Sequence, residues 1–169
     1  WVDPDQRGII PLNQFHLPRR LAKTIRSGKF GISVDRDFET VIKKCSEQTV
    51  QRQETWINNQ IIEVYCKLHK TGNAHSVECW RSGKLVGGLY GVTIGSAFFG
   101  ESMFNRSIDA SKVALVHLID RLKAGGYSLL DTQFLTSHLT TFGAIEISRK
   151  AYLKKLRLAL RTPANFYPF

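Results

Sequence analysis

The sequence predicts an α+β fold in which helices flank a mixed β-sheet. Three consecutive segments, at 74–80, 84–95 and 97–104, are rich in β-branched and aromatic residues, and short turns separate them, which is typical of an antiparallel meander. A long amphipathic segment at 109–123 and a short apolar segment at 127–134 follow, as in a helical crossover between two strands. A meander joined to such a crossover gives a sheet with both parallel and antiparallel pairs.

The first part of the chain predicts a loop followed by two helices. WVDPDQRGIIPL at 1–12 is punctuated by Pro and Gly, so we expect a loop with short extended pieces. A short basic helix is expected around 19–26. Asp35 and Asp37 open the segment DRDFETVIKKC, whose acidic residues come early and whose lysines come late, as the helix dipole favours.

Capping residues mark the later helices. Asn58 or Asn59 can cap the helix NQIIEVYCKLHKTG, which we expect to end at Gly72. Asp109 can cap the long helix of the crossover, and Ser148 starts a last, basic helix. The segment AIEI between the crossover and that last helix is open to one more strand.

Composition and charge favour a folded protein with a polyanionic partner. The 169 residues are 43% hydrophobic and 22% charged, with a net charge of +10, which favours nucleic acid or an acidic membrane surface. The segment 16–30 holds five basic residues and no acid, and the segment 148–161 holds six and no acid. No apolar run approaches the roughly 18–20 residues of a membrane-spanning helix, so no transmembrane helix is expected.

The three cysteines predict reduced thiols and no metal site. Cys45, Cys66 and Cys79 have neither CxxC spacing nor a ligand-like spacing to histidine. We expect them to behave as small hydrophobic residues.

The order of elements is similar to the N-acetyltransferase-like fold, but the sequence disfavours coenzyme A. Acetyl-CoA enzymes of that fold have a glycine-rich loop before the long helix, where backbone N–H groups bind the pyrophosphate. Here that position reads NRSIDASK, which lacks the glycines and brings the acidic Asp109 to the helix start. The helix N-terminus itself stays open as an anion site.

An ordered set of motifs resembles bacterial leucyl/phenylalanyl-tRNA–protein transferase. The motifs are WVDPDQRGIIPL, HLPRRL, TWI, LHKTGNAHSVECW, LVGGLYGV, FFGESMF, ASK, LLDTQ, H-L-x-x-x-GA and ISRKAYL. GGLYGV, FFGESMF and the D-x-Q of LLDTQ are the most specific of them. The resemblance runs along almost the whole chain.

The resemblance implies an aminoacyltransferase that works without a cofactor. Such enzymes move Leu or Phe, sometimes Met, from aminoacyl-tRNA to the α-amine of proteins that begin with Arg or Lys, which creates an N-degron. The ester donor is already activated, so neither ATP nor a metal is expected. We also expect a monomer without a membrane partner. An odd number of cysteines without a secretory signal is typical of reduced thiols in the cytoplasm, so we expect the protein there.

The resemblance also implies two domains. An N-acetyltransferase-like catalytic domain would span 35–169, and 1–34 would belong to a small N-terminal subdomain. Because the sequence begins with Trp1 and not Met, we expect family residues before it.

Three residues are predicted to act near the reacting groups. By resemblance, Gln133 orients the attacking amine, Asp131 supports Gln133, and Glu101 faces a cationic group, either the donor ammonium or the basic acceptor residue. Asp131 and Gln133 lie two apart on a strand, so alternation places them on one face. Strict alternation separates Glu101 from Phe98 and Gly100, so we expect a bulge or bend near Gly100.

An apolar pocket and two basic surfaces complete the predicted site. The pocket for the donor amino acid is predicted to include Trp56, Leu89, Phe98, Gly100, Glu101, Met103, Leu115, Leu118 and Leu130; Trp56 is also open to stacking on the terminal adenine. The predicted tRNA contacts are Arg19, Arg20, Lys23, Arg26, Lys29, Lys154, Lys155 and Arg157. Two alternatives stay open, a CoA-dependent N-acyltransferase and a non-catalytic RNA-binding relative.

Overall fold

The computed structural model describes residues 4–48 and 54–169. Its strands are β1 (Gln6–Ile9), β2 (Gly31–Val34), β3 (Ala74–Arg81), β4 (Lys84–Ile94), β5 (Ala97–Asn105), β6 (Leu129–Gln133) and β7 (Ile145–Ser148). Its helices are α1 (Arg19–Arg26), α2 (Phe38–Ser46), α3 (Asn59–Lys70), α4 (Ala110–Ala124), α5 (Ser137–Thr140) and α6 (Arg149–Arg161), with a short 3-10 helix at Leu12–Gln14.

The predicted mixed sheet is confirmed. The seven strands follow the order β2-β3-β4-β5-β6-β1-β7. The β2–β3 and β3–β4 pairs are antiparallel, whereas β5 and β6, which α4 connects, are parallel. The fold is therefore an α+β fold with a mixed sheet flanked by helices.

Two short strands were not predicted as strands. β1 lies in the lead-in segment, yet it pairs antiparallel with both β6 and β7, and β2 pairs antiparallel with β3. Each of the two contains four residues, which is too short for the period of two to stand out against a loop. The optional strand at AIEI is confirmed as β7.

Helix caps follow the sequence at three of four predicted positions. The side chains of Asp37, Asn58 and Ser148 accept hydrogen bonds from backbone N–H groups in the first turns of α2, α3 and α6. The prediction for α4 is wrong, because Asn105 accepts the Ser111 N–H at 3.1 Å. Asp109 has a φ of +71°, and its carboxylate is instead 3.3 Å from the Lys112 ammonium and 3.4 Å from the Thr24 hydroxyl.

Gly87, in the predicted motif GGLYGV, allows a helix to approach a strand closely. A Cβ at this position would lie 2.6 Å from the Cβ of Ala110 and 2.9 Å from the Ser111 nitrogen, distances that real side chains do not tolerate. The absence of a side chain at Gly87 therefore lets the start of α4 pack directly on β4.

The chain divides into two compact units, each with its own buried residues. Of the described residues, the first unit comprises 4–23, 93–100 and 116–169, and the second comprises 24–48, 54–92 and 101–115. The first contains a cluster of Ile9, Ala97, Leu129, Tyr152 and Ala159. The second contains Phe38, Val41, Ile42, Cys45, Ile57, Ala74, Tyr90 and Phe104. The predicted boundary between residues 34 and 35 stays a prediction.

Within residues 4–48 and 54–169, no helix combines the length and the apolar character needed to cross a bilayer.

Candidate active site

In the first unit, β6 leaves its parallel partner just where the predicted catalytic residues begin. The parallel register runs from Ala97 opposite Leu129 to Phe99 opposite Asp131. β6 continues to Gln133, which pairs with Gly8 of β1 on its other side. The end of β6 therefore stays anchored to β1 beyond the last parallel pair.

The Asp131 carboxylate is buried and accepts hydrogen bonds from three residues. Its Oδ1 accepts from Arg7 Nε at 3.0 Å and from the backbone N–H of Gln133 at 2.8 Å. Its Oδ2 accepts from Arg7 Nη2 at 2.7 Å and from the Tyr152 hydroxyl at 2.5 Å. A buried carboxylate is stable only when it is paired and hydrogen-bonded, and Asp131 meets both conditions.

Arg7 and Tyr152 also contact each other. The Arg7 guanidinium carbon lies 5.0 Å from the centroid of the Tyr152 ring, which is a cation–π distance. Burial, and then the hydrogen bond to Asp131, raise the pKa of Tyr152. The phenol therefore stays protonated and remains a hydrogen-bond donor to the carboxylate at neutral pH.

Gln133 has a left-handed backbone with a φ of +58°. A residue with a Cβ adopts this region at a conformational cost, and such residues are concentrated at functional sites. The turn also breaks the strand alternation on which the prediction of a shared face for Asp131 and Gln133 rested. The observed link between the two residues is the backbone N–H of Gln133, which donates to Asp131.

In the second unit, Glu101 is partly exposed and is hydrogen-bonded to Tyr65 of α3. Burial, and then the nearby Glu101 charge, raise the pKa of Tyr65, so its hydroxyl stays protonated and donates to the carboxylate. The Tyr65 ring packs edge-on against Tyr90 at 5.4 Å and against Trp56 at 6.4 Å. Glu101 is therefore held by a phenol that aromatic neighbours fix in place.

Sequence reasoning missed Arg7 and Tyr152 as partners of Asp131, and it missed Tyr65 as the partner of Glu101. Arg7 lies in a segment predicted as a loop, and Tyr152 lies in a helix singled out for its positive charge. Tyr65 carried one signal, because its spacing from Ile61 and Leu68 predicts that the three share one helix face. Tyr65 is partly buried, and Glu101 is a hydrogen-bond partner of its hydroxyl.

The predicted pocket residues differ in their exposure. In the second unit Trp56 is 51% exposed and Met103 is partly exposed, whereas Leu89 and Leu115 are buried. In the first unit Gly100 is partly exposed. The remaining residues predicted for the pocket, all buried, are Phe98, Leu118 and Leu130. Their contact with a donor amino acid stays a prediction, as does the bend near Gly100.

The predicted tRNA contacts all carry exposed positive charges. They are Arg19, Arg20, Lys23, Arg26 and Lys29 in and just after α1, and Lys154, Lys155 and Arg157 on α6. Within the described ranges none of them forms an ion pair. Their charges are therefore available to an external anion.

No group of three or more histidine, cysteine or acidic side chains in the described part of the chain is arranged to hold a metal ion.

Comparisons with known proteins agree on one family. A family model described as leucyl/phenylalanyl-tRNA protein transferase matches residues 9–157. The curated leucyl/phenylalanyl-tRNA–protein transferase of Paramagnetospirillum magneticum is 58% identical over 98% of this chain and 79% of its own length. That of Maricaulis maris is 59% identical over 98% of this chain and 76% of its own length.

Solved structures share the fold at low sequence identity. L-PGS from Bacillus licheniformis is 13% identical and matches 93% of this chain and 65% of its own chain with a TM-score of 0.55. A conserved protein of unknown function from Bacteroides thetaiotaomicron is 14% identical and matches 94% of this chain and 56% of its own chain, with a TM-score of 0.54.

Proposed function

The chain belongs to the leucyl/phenylalanyl-tRNA–protein transferase family, and on that premise we propose that it transfers Leu or Phe from aminoacyl-tRNA to the α-amine of proteins beginning with Arg or Lys. The observation that carries the proposal is the family match from residue 9 to residue 157, which includes β5, β6 and the start of α6. In this family the added residue is an N-degron that directs proteolysis.

The reaction exchanges an ester bond for a peptide bond. The acceptor α-amine attacks the carbonyl carbon of the aminoacyl ester, the C–N bond forms, and the C–O bond to the tRNA ribose breaks. The amine loses a proton to solvent, and the ribose hydroxyl takes one up. The protein must therefore hold amine and ester together and stabilise the tetrahedral oxyanion, and an activated donor requires neither ATP nor a metal.

Gln133 orients the attacking amine in this scheme. An amide is a poor base, so its contribution is a hydrogen bond to the amine and not removal of a proton. The partly exposed side chain and left-handed backbone of Gln133 support this role. Asp131 supports Gln133 by accepting a hydrogen bond from the Gln133 backbone N–H.

Glu101 recognises a positive group, either the donor ammonium or the basic first residue of the acceptor. Its partial exposure leaves the carboxylate accessible, and the Tyr65 hydroxyl holds its orientation. A matched pair of variants tests this role. If Glu101 binds the basic acceptor residue, Glu101→Gln should discriminate less between an Arg-initiated and an Ala-initiated peptide. If it binds the donor ammonium, the variant should use aminoacyl-tRNA less well with both peptides. Glu47→Gln, which alters another partly exposed carboxylate in the same unit, should change neither property.

We propose that Trp56 and Met103 contribute accessible side chains to the donor pocket, and that Leu89 and Leu115 of the same unit contribute buried ones. An apolar lining accepts Leu and Phe and excludes polar side chains, because burial of a polar group without a partner is costly. Trp56 is exposed enough to stack on an unpaired base.

The tRNA binds to the exposed cations of α1 and α6. Contacts of this kind are made mainly to phosphates and follow RNA shape more than sequence. The three cations of α6 share their helix with Tyr152, which donates to Asp131. We propose further that the protein acts as a monomer in the cytoplasm.

A coenzyme A donor is the weaker alternative. Asp109 places a carboxylate at the start of α4, next to the Thr24 hydroxyl, where a pyrophosphate would require hydrogen-bond donors. The Lys112 ammonium neutralises this carboxylate in part.

Transfer of labelled Leu or Phe from charged tRNA to a peptide that starts with Arg, beside the same peptide starting with Ala, tests the function. We expect product on the Arg peptide alone. Binding of acetyl-CoA without such transfer would instead support the N-acyltransferase alternative. Tight binding of tRNA without product would support a non-catalytic RNA-binding protein.

A further inference from the structure

We propose that Arg7 and Tyr152 are positioning residues for the transfer reaction, and that they act by locking Asp131 so that it holds the backbone of Gln133 in its left-handed conformation. The inference rests on the proposed function, because it assigns a purpose to the geometry of Gln133. Neither Arg7 nor Tyr152 needs to touch a substrate in order to act in this way.

The lone pairs of Asp131 are already in use. A carboxylate offers about four acceptor positions. Arg7 occupies one on each oxygen, the Gln133 N–H occupies a second on Oδ1, and the Tyr152 hydroxyl occupies a second on Oδ2. Asp131 therefore has no position left from which to take up a proton during the reaction.

The charge of Asp131 is also compensated. The Arg7 guanidinium binds both carboxylate oxygens in a fork, which is the strongest form of a carboxylate pair. A neutralised anion polarises a neighbouring amide weakly. The direct contact that remains to connect Asp131 with Gln133 is the 2.8 Å hydrogen bond to its backbone N–H.

The lock consists of Arg7 on β1, Asp131 on β6 and Tyr152 on α6. Hydrogen bonds connect these three elements to one another. β1 supplies Arg7 and pairs Gly8 with Gln133 at the end of β6. The first residue of α6, Arg149, donates its backbone N–H to the carbonyl of Asp5 at 2.8 Å, and Tyr152 follows one turn later. The position of Gln133 is thus determined by strand pairing on one side and by the Asp131 carboxylate on the other.

The positioning role can be distinguished from a charge relay, in which Asp131 would take up a proton during the reaction. The two predict opposite effects on the rate of transfer when one hydrogen-bond donor to Asp131 is removed. Tyr152→Phe removes one hydrogen bond to Oδ2 and keeps the ring that faces Arg7. In a relay, a carboxylate with fewer donors is more basic, so transfer would become faster or stay the same. In the positioning role, the carboxylate loosens and transfer becomes slower.

The chain offers a matched control in Tyr127. Its hydroxyl is 2.7 Å from that of Thr93, it lies in the same unit, and at 7% exposure it is buried as deeply as Tyr152. Tyr127→Phe therefore removes an equivalent buried phenol without touching Asp131.

The first measurement is steady-state transfer to an Arg-initiated peptide. We expect Tyr152→Phe to lower kcat by between about tenfold and about a hundredfold, with KM for aminoacyl-tRNA changed less than about twofold. Arg7→Lys, which keeps the charge and loses the fork, should lower kcat at least as much, and Tyr127→Phe less than about twofold. An unchanged or raised kcat in Tyr152→Phe would overturn the proposal.

The second measurement is amide hydrogen exchange at Gln133, which does not depend on activity. We expect Tyr152→Phe to accelerate exchange of the Gln133 N–H by about tenfold or more, and Tyr127→Phe to leave it unchanged. Equal exchange in both variants would overturn the lock. If the unsubstituted protein transfers no amino acid but the exchange result holds, the proposed function fails and the lock stands.

Discussion

Two fully buried carboxylates, Asp131 and Glu78, are held in different ways. Both side chains have no measurable exposure. Asp131 is paired with the Arg7 guanidinium. Glu78, on β3, accepts hydrogen bonds from the Ser33 hydroxyl at 2.7 Å, the Ser76 hydroxyl at 2.5 Å and the backbone N–H of Asp37 at 3.4 Å. Asp131 therefore depends on a cation, and Glu78 depends on neutral donors.

If Asp131 and Gln133 act as proposed, the difference separates a region that serves the transfer reaction from a structural one. The partners of Glu78 connect β2 and the start of α2 to β3, and the Trp80 indole donates to Ser33 at 2.7 Å to extend that network. The partners of Asp131 hold a residue in a disfavoured backbone conformation at the end of a strand. Equal burial does not imply equal roles, since the groups that the carboxylate holds determine the role.

Neutralising the two carboxylates should affect stability unequally. In Asp131→Asn the new amide must direct an NH2 toward Arg7, which can only donate, so we expect the free energy of unfolding to fall by about 3 kcal/mol. Glu78→Gln faces serine hydroxyls that can accept as well as donate, so the expected loss is about 1 kcal/mol. Urea unfolding of both variants measures the difference, and equal losses would break the comparison.

Replacing Gln133 by glycine should lower activity without lowering stability. We expect Gln133→Gly to reduce kcat by about a hundredfold, because the orienting amide is lost. The free energy of unfolding should stay the same or rise by about 0.5 kcal/mol, because glycine adopts positive φ freely. Ser82, an exposed turn residue with a φ of +50°, provides the control. Ser82→Gly should behave similarly in urea and keep full activity; a large loss of stability in Gln133→Gly would contradict the assignment of strain.

Removing a neutral donor from Glu78 should affect stability alone. Ser33→Ala deprives both Glu78 and the Trp80 indole of a partner, so we expect the free energy of unfolding to fall by about 1–2 kcal/mol. The kcat for transfer should stay within about twofold of the unsubstituted protein. A loss of kcat without a loss of stability would place the Glu78 network in the reaction and remove the contrast with Asp131.

Surface cations should account for tRNA affinity, which neither buried carboxylate should affect. Arg20→Ala and Lys154→Ala, tested singly, should each reduce the slope of log K against log salt by about 1 if each contacts one phosphate. Lys43→Ala serves as the control, because this exposed lysine is already paired with Glu39. An unchanged slope for Arg20→Ala would show that Arg20 of α1 contacts no tRNA phosphate, and an unchanged slope for Lys154→Ala would show the same for Lys154 of α6.

Local signals predicted most of the helices and strands. The caps at Asp37, Asn58 and Ser148 and the hydrophobic periods are properties of neighbouring residues, so they can be read without knowledge of the rest of the chain. The cap of α4 was misassigned because the left-handed backbone of Asp109 directs its carboxylate to Thr24 and Lys112. Backbone conformation at a single residue has no periodic signature.

The same limit applies to the candidate site. Glu101, Asp131 and Gln133 were predicted because they lie in motifs that resemble a family, and their individual roles stay predictions. Tyr65 was predicted only as part of a helix face. The segment that supplies Arg7 was predicted as a loop with short extended pieces. Its assignment as the strand Gln6–Ile9 depends on pairing with β6 and β7, which the sequence does not show.

The amino-acid sequence alone determined the class of fold, the positive charge and the motifs of the family, since these depend on composition and short spacings. It did not determine which groups meet at Asp131. Arg7 lies 124 residues away along the chain and Tyr152 lies 21 away, and both reach the carboxylate through strand pairing and helix packing. Such contacts arise from the burial of distant segments together, because a buried carboxylate is stable only where folding brings a cation and hydrogen-bond donors to it.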